Sequence, residues 1–220
     1  MSLLPHTSHE FEAELVEVRR RLLAMGKQVD EVVESSAQAL LARNVALANA
    51  VILRDREADS MELEIDHLCL EILARRQPVA GDLRLLTSTL KLVVDLERVG
   101  DLGVSIAERV VELGHEPPII PYDDLLVMMT TARGMVSDAL TALVEEDVTG
   151  ATHVIEKDDV VDAYYVRIFN DIVIQMREHP DSTSRATRLQ TISKYVERIG
   201  DHATKIAERV VFILTGEEFR

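Results

Sequence analysis

The chain has 220 residues, 47% of them hydrophobic, with 39 acidic against 24 basic side chains and a formal net charge of −15. That length holds one large or two modest domains with a core of ordinary size, and the negative field opposes any sequence-independent attraction to DNA, RNA or anionic lipid. A single cysteine, Cys69, rules out an internal disulfide framework and fits a reducing compartment. With no leader-like start and no apolar run of about 18 residues, the expected setting is cytoplasmic, with cations and basic partners favoured and nucleic acid not.

Tryptophan is absent and aromatics make up 4% of the chain, while Ala, Leu, Glu and Arg fill the long stretches, so helix is predicted nearly throughout. A first helix runs from about Ser8 to Arg43, with Gly26 as a tolerated weak point. Asn44 turns the chain or caps the next helix. A second helix runs from about Ala46 to Ala74 and must end before Pro78, because the residue ahead of a proline is pushed out of helical geometry. The third begins at Asp82 or just before it and continues to Gly114, where Pro117, Pro118 and Pro121 enforce the stop.

From there the pattern begins again, with helices predicted over Tyr122 to Asp147, Gly150 to Glu178 and Ser182 to Thr215. The duplication is most visible in Glu97-Arg98-Val99-Gly100-Asp101, which returns as Glu197-Arg198-Ile199-Gly200-Asp201. Ten of the fifteen positions from 97 to 111 are identical one hundred residues later. Ala39 aligns with Ala142, and Asp55 and Asp59 with Asp158 and Asp162, at an offset of 103, so the second half loses three residues around Pro180. The predicted fold is all-α, a tandem repeat of two antiparallel three-helix bundles, with units at 1–116 and 117–220.

The acids fall on particular helix faces. At roughly 100° per residue, Glu97 and Asp101 lie about 40° apart with Glu108 between them, opposite the stripe of Leu85, Leu92, Leu96, Val99, Ile106 and Val110. Glu197, Asp201 and Glu208 repeat that row opposite Ile192, Val196, Ile199, Ile206 and Val210. Neighbouring helices add Asp55, Asp59, Glu62 and Asp66, and then Asp158 and Asp162 on a face that continues as Tyr165 and Phe169. Like charges one turn apart cost a few tenths of a kcal/mol per pair, which something must offset. Either Arg98, Arg109, Arg198 and Arg209 neutralise the rows as surface ion pairs, or facing rows gather carboxylates around hard cations. Four acid pairs at equivalent places in a duplicated unit favour the cations.

These pairs, the segment Arg76-Gln77-Pro78-Val79-Ala80-Gly81-Asp82-Leu83-Arg84 and the ending from Ile206 to Glu217 resemble the PhoU family of phosphate-signalling proteins over nearly the whole chain. The resemblance implies two three-helix bundles, often assembled as a homodimer, without known catalysis. It implies negative regulation of the phosphate-starvation regulon and of uptake, by linking the ATPase subunit of a phosphate ABC transporter to a phosphate-responsive histidine kinase. It also implies multinuclear metal clusters, iron ahead of magnesium, manganese, zinc or nickel, on Asp55, Asp59, Glu97, Asp101, Asp158, Asp162, Glu197 and Asp201. Members often have Asn where this chain has Ser105 and Lys205. Lys205 lies about 80° from Glu197 and is expected to weaken the second site.

The alternative is a metal-storage or di-iron carboxylate protein, since Glu64-Ile65-Asp66-His67 and Glu112-Leu113-Gly114-His115 match the E-x-x-H of ferritin-like enzymes. Asn170 and Thr215, at the aligned positions, do not repeat those histidines. His202 points roughly 140° from Glu197 and reads as a surface or packing residue. Cys69 and the Met128-Met129 pair read as packing. No G-x-x-x-x-G-K-[ST] loop is present, so nucleotide hydrolysis has no apparatus and the chain is read as a non-enzyme.

Overall fold

Each predicted stop signal works through its own backbone geometry. Asn44 caps the helix it precedes, its side-chain oxygen accepting from the Leu47 N–H at 3.0 Å. Gln77 leaves the helix in the left-handed region at φ 49° just ahead of Pro78, and Gly114 does so at φ 57° ahead of the proline cluster. The computed structural model describes residues 9–219, with the side chains of 55–57 outside the described set. Its elements are α1 (His9–Ala42), α2 (Val45–Ile52), α3 (Asp55–Arg76), α4 (Ala80–Leu113), α5 (Asp123–Glu145), α6 (Val148–Glu156), α7 (Asp158–Glu178), a 3₁₀ turn (Pro180–Ser182) and α8 (Thr183–Thr215). Among the described residues there is no strand, and no helix is long and apolar enough to cross a membrane.

Six helices were expected, and the middle helix of each half is instead split in two. At the first break Leu53 sits at φ −69°, ψ −16°, and at the second Lys157 sits at φ −68°, ψ −17°. Both are a slight overwinding of the helix, and the adjoining bonds tighten to a 3₁₀ spacing, Arg54 N–H to Val51 O at 2.9 Å and Lys157 N–H to Val154 O at 3.2 Å. The bends keep the offset of 103 read from the sequence. Arg43 and Glu146, one offset apart, are both left-handed, at φ 51° and φ 54°. The next N–H of each reaches back alike, Asn44 to Ala39 O at 2.8 Å and Asp147 to Ala142 O at 2.9 Å.

Helices α1 to α4 form one bundle and α5 to α8 the other, with α4 and α8 packed together along the centre and α1 touching α5. The core is continuous across both. The predicted stripe on α4 is buried at all six positions and that on α8 at all five, so the acid rows do face away from it. Cys69 is fully buried, and burial pushes its thiol up to about 12, which suits packing and not reactivity. Met128 and Met129 are also buried.

Gly26 proves to be a contact and not merely a weak point. A Cβ there would run into the tip of the Leu140 side chain, so the bare glycine is what seats that methyl between α1 and α5. Gly103 does the same between α1 and α4, where the Ser36 hydroxyl donates across the gap to the Gly103 carbonyl at 2.7 Å.

Candidate metal centre

The acid cluster of the first half is assembled from the start of α3 and the middle of α4. Gly100 packs on Ala58, its Cβ position 3.5 Å from Ala58 Cβ, an ordinary van der Waals distance. Beside that contact Asp59, Glu97 and Asp101 come together, each offering a carboxylate oxygen within 4.8 Å of the others. Hard cations hold oxygen ligands at about 2.3–2.6 Å, so two ligands of one ion lie at most about 5 Å apart and the cluster is within that span.

Charge is crowded at this site. Burial and then the Asp101 carboxylate push Glu97 up to about 7, Arg98 opposing them only in part. Arg98 lies 3.4 Å from Glu97 through Nε and 2.9 Å from Asp101 through Nη1. Glu62 is raised by burial and then by the charges of Asp66 and Asp59, and burial raises Asp66 as well. Asp66 Oδ1 is buried without a hydrogen-bond partner. Asp55 opens α3, but its side chain lies outside the described residues.

The second half repeats the plan with a different balance. Gly200 lies under Asp158, whose Oδ1 is 3.0 Å from the glycine's Cβ position, so α7 starts directly against the acid motif of α8. Burial and then Asp162, Asp201, Glu197 and Asp159 push Asp158 up to about 6. Asp162 and Asp201 are exposed, and among the described residues only the first half brings three ligand oxygens together. Lys194 Nζ donates to Glu197 Oε1 at 2.5 Å, while Glu197 Oε2 is buried with no hydrogen-bond partner. The donor set is all carboxylate with orphaned oxygens, which fits a hard, oxygen-seeking cation.

Of the four arginines expected to neutralise the rows, Arg98 does so. Arg109 also reaches the first row, 3.7 Å from Glu108, and pairs with Glu112 at 2.8 Å, whereas Arg209 pairs with Asp95 at 3.1 Å. Lys205 lines a groove between α4 and α8, with Lys91 and Glu208, and the ammonium paired directly with Glu197 is that of Lys194. Glu108 and Glu208 extend the rows on paper but stay exposed. Glu64, His67 and His115 are exposed as well, so the E-x-x-H matches do not converge inside a bundle.

Three positions at or beside the sites escape the sequence pattern. Lys194 sits one helical turn before Glu197, where the same arithmetic applied upstream finds it. Glu62 lies in the α3 row but is not among the predicted ligands. Asp95 is a carboxylate on the apolar face of α4, 6% exposed, and that conflict is the signal of a buried partner. His202 Nδ1 lies 3.0 Å from its Oδ1, and Arg209 Nε donates to Oδ2 at 3.1 Å, so His202 clasps α8 to α4.

A tandem of helical bundles, each bearing an E-R-x-G-D carboxylate pair on its last helix with an acid of its middle helix beside it, defines a narrow class. Residues 22–110 and 125–210 each match the family model described as the PhoU domain, and the chain belongs to the PhoU family. It is 40% identical over 222 residues to a Pseudomonas putida protein named phosphate-specific transport system accessory protein PhoU homolog, covering 100% of this chain and 86% of that one. The crystal structure of PhoU from Pseudomonas aeruginosa superposes with a TM-score of 0.90 at 38% identity, over 94% of this chain and 100% of that chain. The phosphate transport system regulatory protein PhoU from Streptococcus pneumoniae gives 0.89 at 28% identity, over 96% and 99%.

Proposed function

We propose that the protein is a non-enzymatic regulator of phosphate transport, working in the cytoplasm to restrain uptake and the phosphate-starvation regulon. The observation that carries this is similarity along the whole chain to proteins named as accessory to phosphate-specific transport. Its partners would be the ATPase subunit of a phosphate ABC transporter and a phosphate-responsive histidine kinase. Helix surfaces suited to such contacts are present, since Leu63 and Leu70 on α3 are 69% and 56% exposed and Val166, Phe169 and Val173 on α7 are 56%, 44% and 46% exposed. A homodimer would use part of the same apolar surface. The two units, 1–116 and 117–220, would each carry one acid site.

The eight carboxylates would hold divalent or trivalent ions, iron ahead of magnesium, manganese, zinc or nickel, with Asp59, Glu97 and Asp101 as the tightest set. A bound ion supplies a fixed positive charge between α3 and α4. The protein's own part is to hold the acids close, in the second half through Gly200, and to keep Glu97 largely withdrawn from water. The regulatory reading is tested by deleting the gene in the native cell and measuring phosphate uptake and starvation-gene expression in phosphate-rich medium. Both should rise; wild-type levels of both would overturn the reading.

A further inference from the structure

Around the two acid sites charge differs at aligned positions. At the offset of 103 Glu62 corresponds to Tyr165 and Asp66 to Phe169, and at the offset of 100 Val94 corresponds to Lys194. At these three places the first site has two more carboxylates and one fewer ammonium than the second, while the second has Asp159 near Asp158. Lys194 is also fixed in place. Its Nζ donates to Glu197 Oε1 at 2.5 Å and lies 5.3 Å from the centre of the Tyr165 ring, and Tyr165 Oη is in turn held by Gln190 Nε2 at 3.1 Å. Tyr165 and Lys194 therefore act as a pair, the ring seating the ammonium over the carboxylate that an ion needs. At the corresponding place in the first half Val94 is 41% exposed and bears no charge, and the cation there, Arg98, is 56% exposed at its side chain and comes no closer to Glu97 than 3.4 Å, against 2.5 Å for Lys194 on Glu197.

We propose that Lys194 is a built-in counter-cation that occupies the second carboxylate site, so that metal enters the first site at lower concentration and reaches the second only by displacing the ammonium from Glu197. The inference rests on the metal reading above and adds an order of filling to it. It makes the protein a two-threshold metal binder in place of one with two equal sites. The half-buried Glu197, 14% exposed at its side chain, exchanges a tethered ligand for a free one. Displacement forfeits one charge-assisted hydrogen bond, which weakens metal affinity about ten- to a hundredfold.

The test isolates each site and titrates it with Mn²⁺ alone, by calorimetry and by the loss of free-ion electron paramagnetic resonance signal. Glu97→Ala/Asp101→Ala leaves only the second site, and adding Lys194→Val, the residue of the first half, should tighten it at least tenfold. Glu197→Ala/Asp201→Ala leaves only the first, and Val94→Lys, at an exposed position that folding tolerates, should weaken it. Circular dichroism melts without metal confirm that each variant is folded. If the unmodified protein binds Mn²⁺ but Lys194→Val leaves the second-site affinity unchanged or weaker, the lysine assignment is overturned while the metal reading stands. If the unmodified protein binds no Mn²⁺, both fall together.

Discussion

Asp95 and Glu97 stand two residues apart on α4 and respond to acid in opposite senses. Burial works against the charge on Asp95, but the hydrogen bonds from His202 and Arg209 outweigh it and hold the carboxyl below its ordinary range. Its contribution is thus present above the unfolded carboxylate range and is lost as the pH falls through the lowered folded value. Asp95→Ala strands an arginine and a histidine at the α4–α8 seam, and denaturant melts at pH 7 should show a loss of about 2 to 3 kcal/mol. The gap between the variant and the unmodified protein should close as the pH is lowered toward the acid transition. A gap that stays constant to the acid limit would show that the pair contributes nothing through charge. Glu97 has the reverse sign. Its folded value is raised from 4.5 to about 7, so it favours the fold below the ordinary carboxylate range and loses that contribution as the pH rises through 7. The acid pairs themselves are legible in the sequence because period 3.6 places them, whereas Asp95 is not, because a periodicity count treats it as a polar gap in an apolar stripe. Lys194 is missed because the row is read downstream of Glu197 and not one turn upstream of it.

At the scale of the helix, glycine positions carry more information than propensity suggests. A Cβ at Gly103 would fall 2.9 Å from Val32 Cγ1 and 3.2 Å from Val33 Cγ2, both β-branched and buried, with the Val33 backbone nitrogen at 3.4 Å. Gly134 has nothing within 4 Å of its Cβ position. Gly103→Ala should therefore destabilise by about 1 to 2 kcal/mol, overpacking outweighing the gain in helix propensity, while Gly134→Ala should stabilise by about 1 kcal/mol. Opposite shifts in melting temperature would support the close approach of α1 to α4; stabilisation by both would show that α1 yields. Helix identity and most ends are readable from caps, prolines and glycines. The breaks at Leu53 and Lys157 are not, since a change of about 25° in ψ from the ordinary helical value needs neither residue type. Gly26 is misjudged for a related reason, because its role lies in Leu140, far away in sequence.

Across the whole molecule the duplication governs everything else, and it is legible because both halves keep their register through two different offsets. What one sequence does not give is how the halves meet, since α4 and α8 are each amphipathic toward their own bundle and toward one another. With a formal charge of −15, self-repulsion opposes compaction, so monovalent salt should raise the melting temperature modestly by screening. Millimolar Mn²⁺ should raise it further than ionic strength explains, and more at pH 7.5 than at pH 5, where Glu97 still holds its proton. That excess should fall sharply in Glu97→Ala/Asp101→Ala, and bound metal by elemental analysis with it; an undiminished excess would place the ion elsewhere. One consequence of the central seam is mechanical. Asp95 precedes Glu97 by two residues and grips His202, the immediate neighbour of Asp201, so a single buried carboxylate rivets α4 to α8 within a turn of both acid pairs.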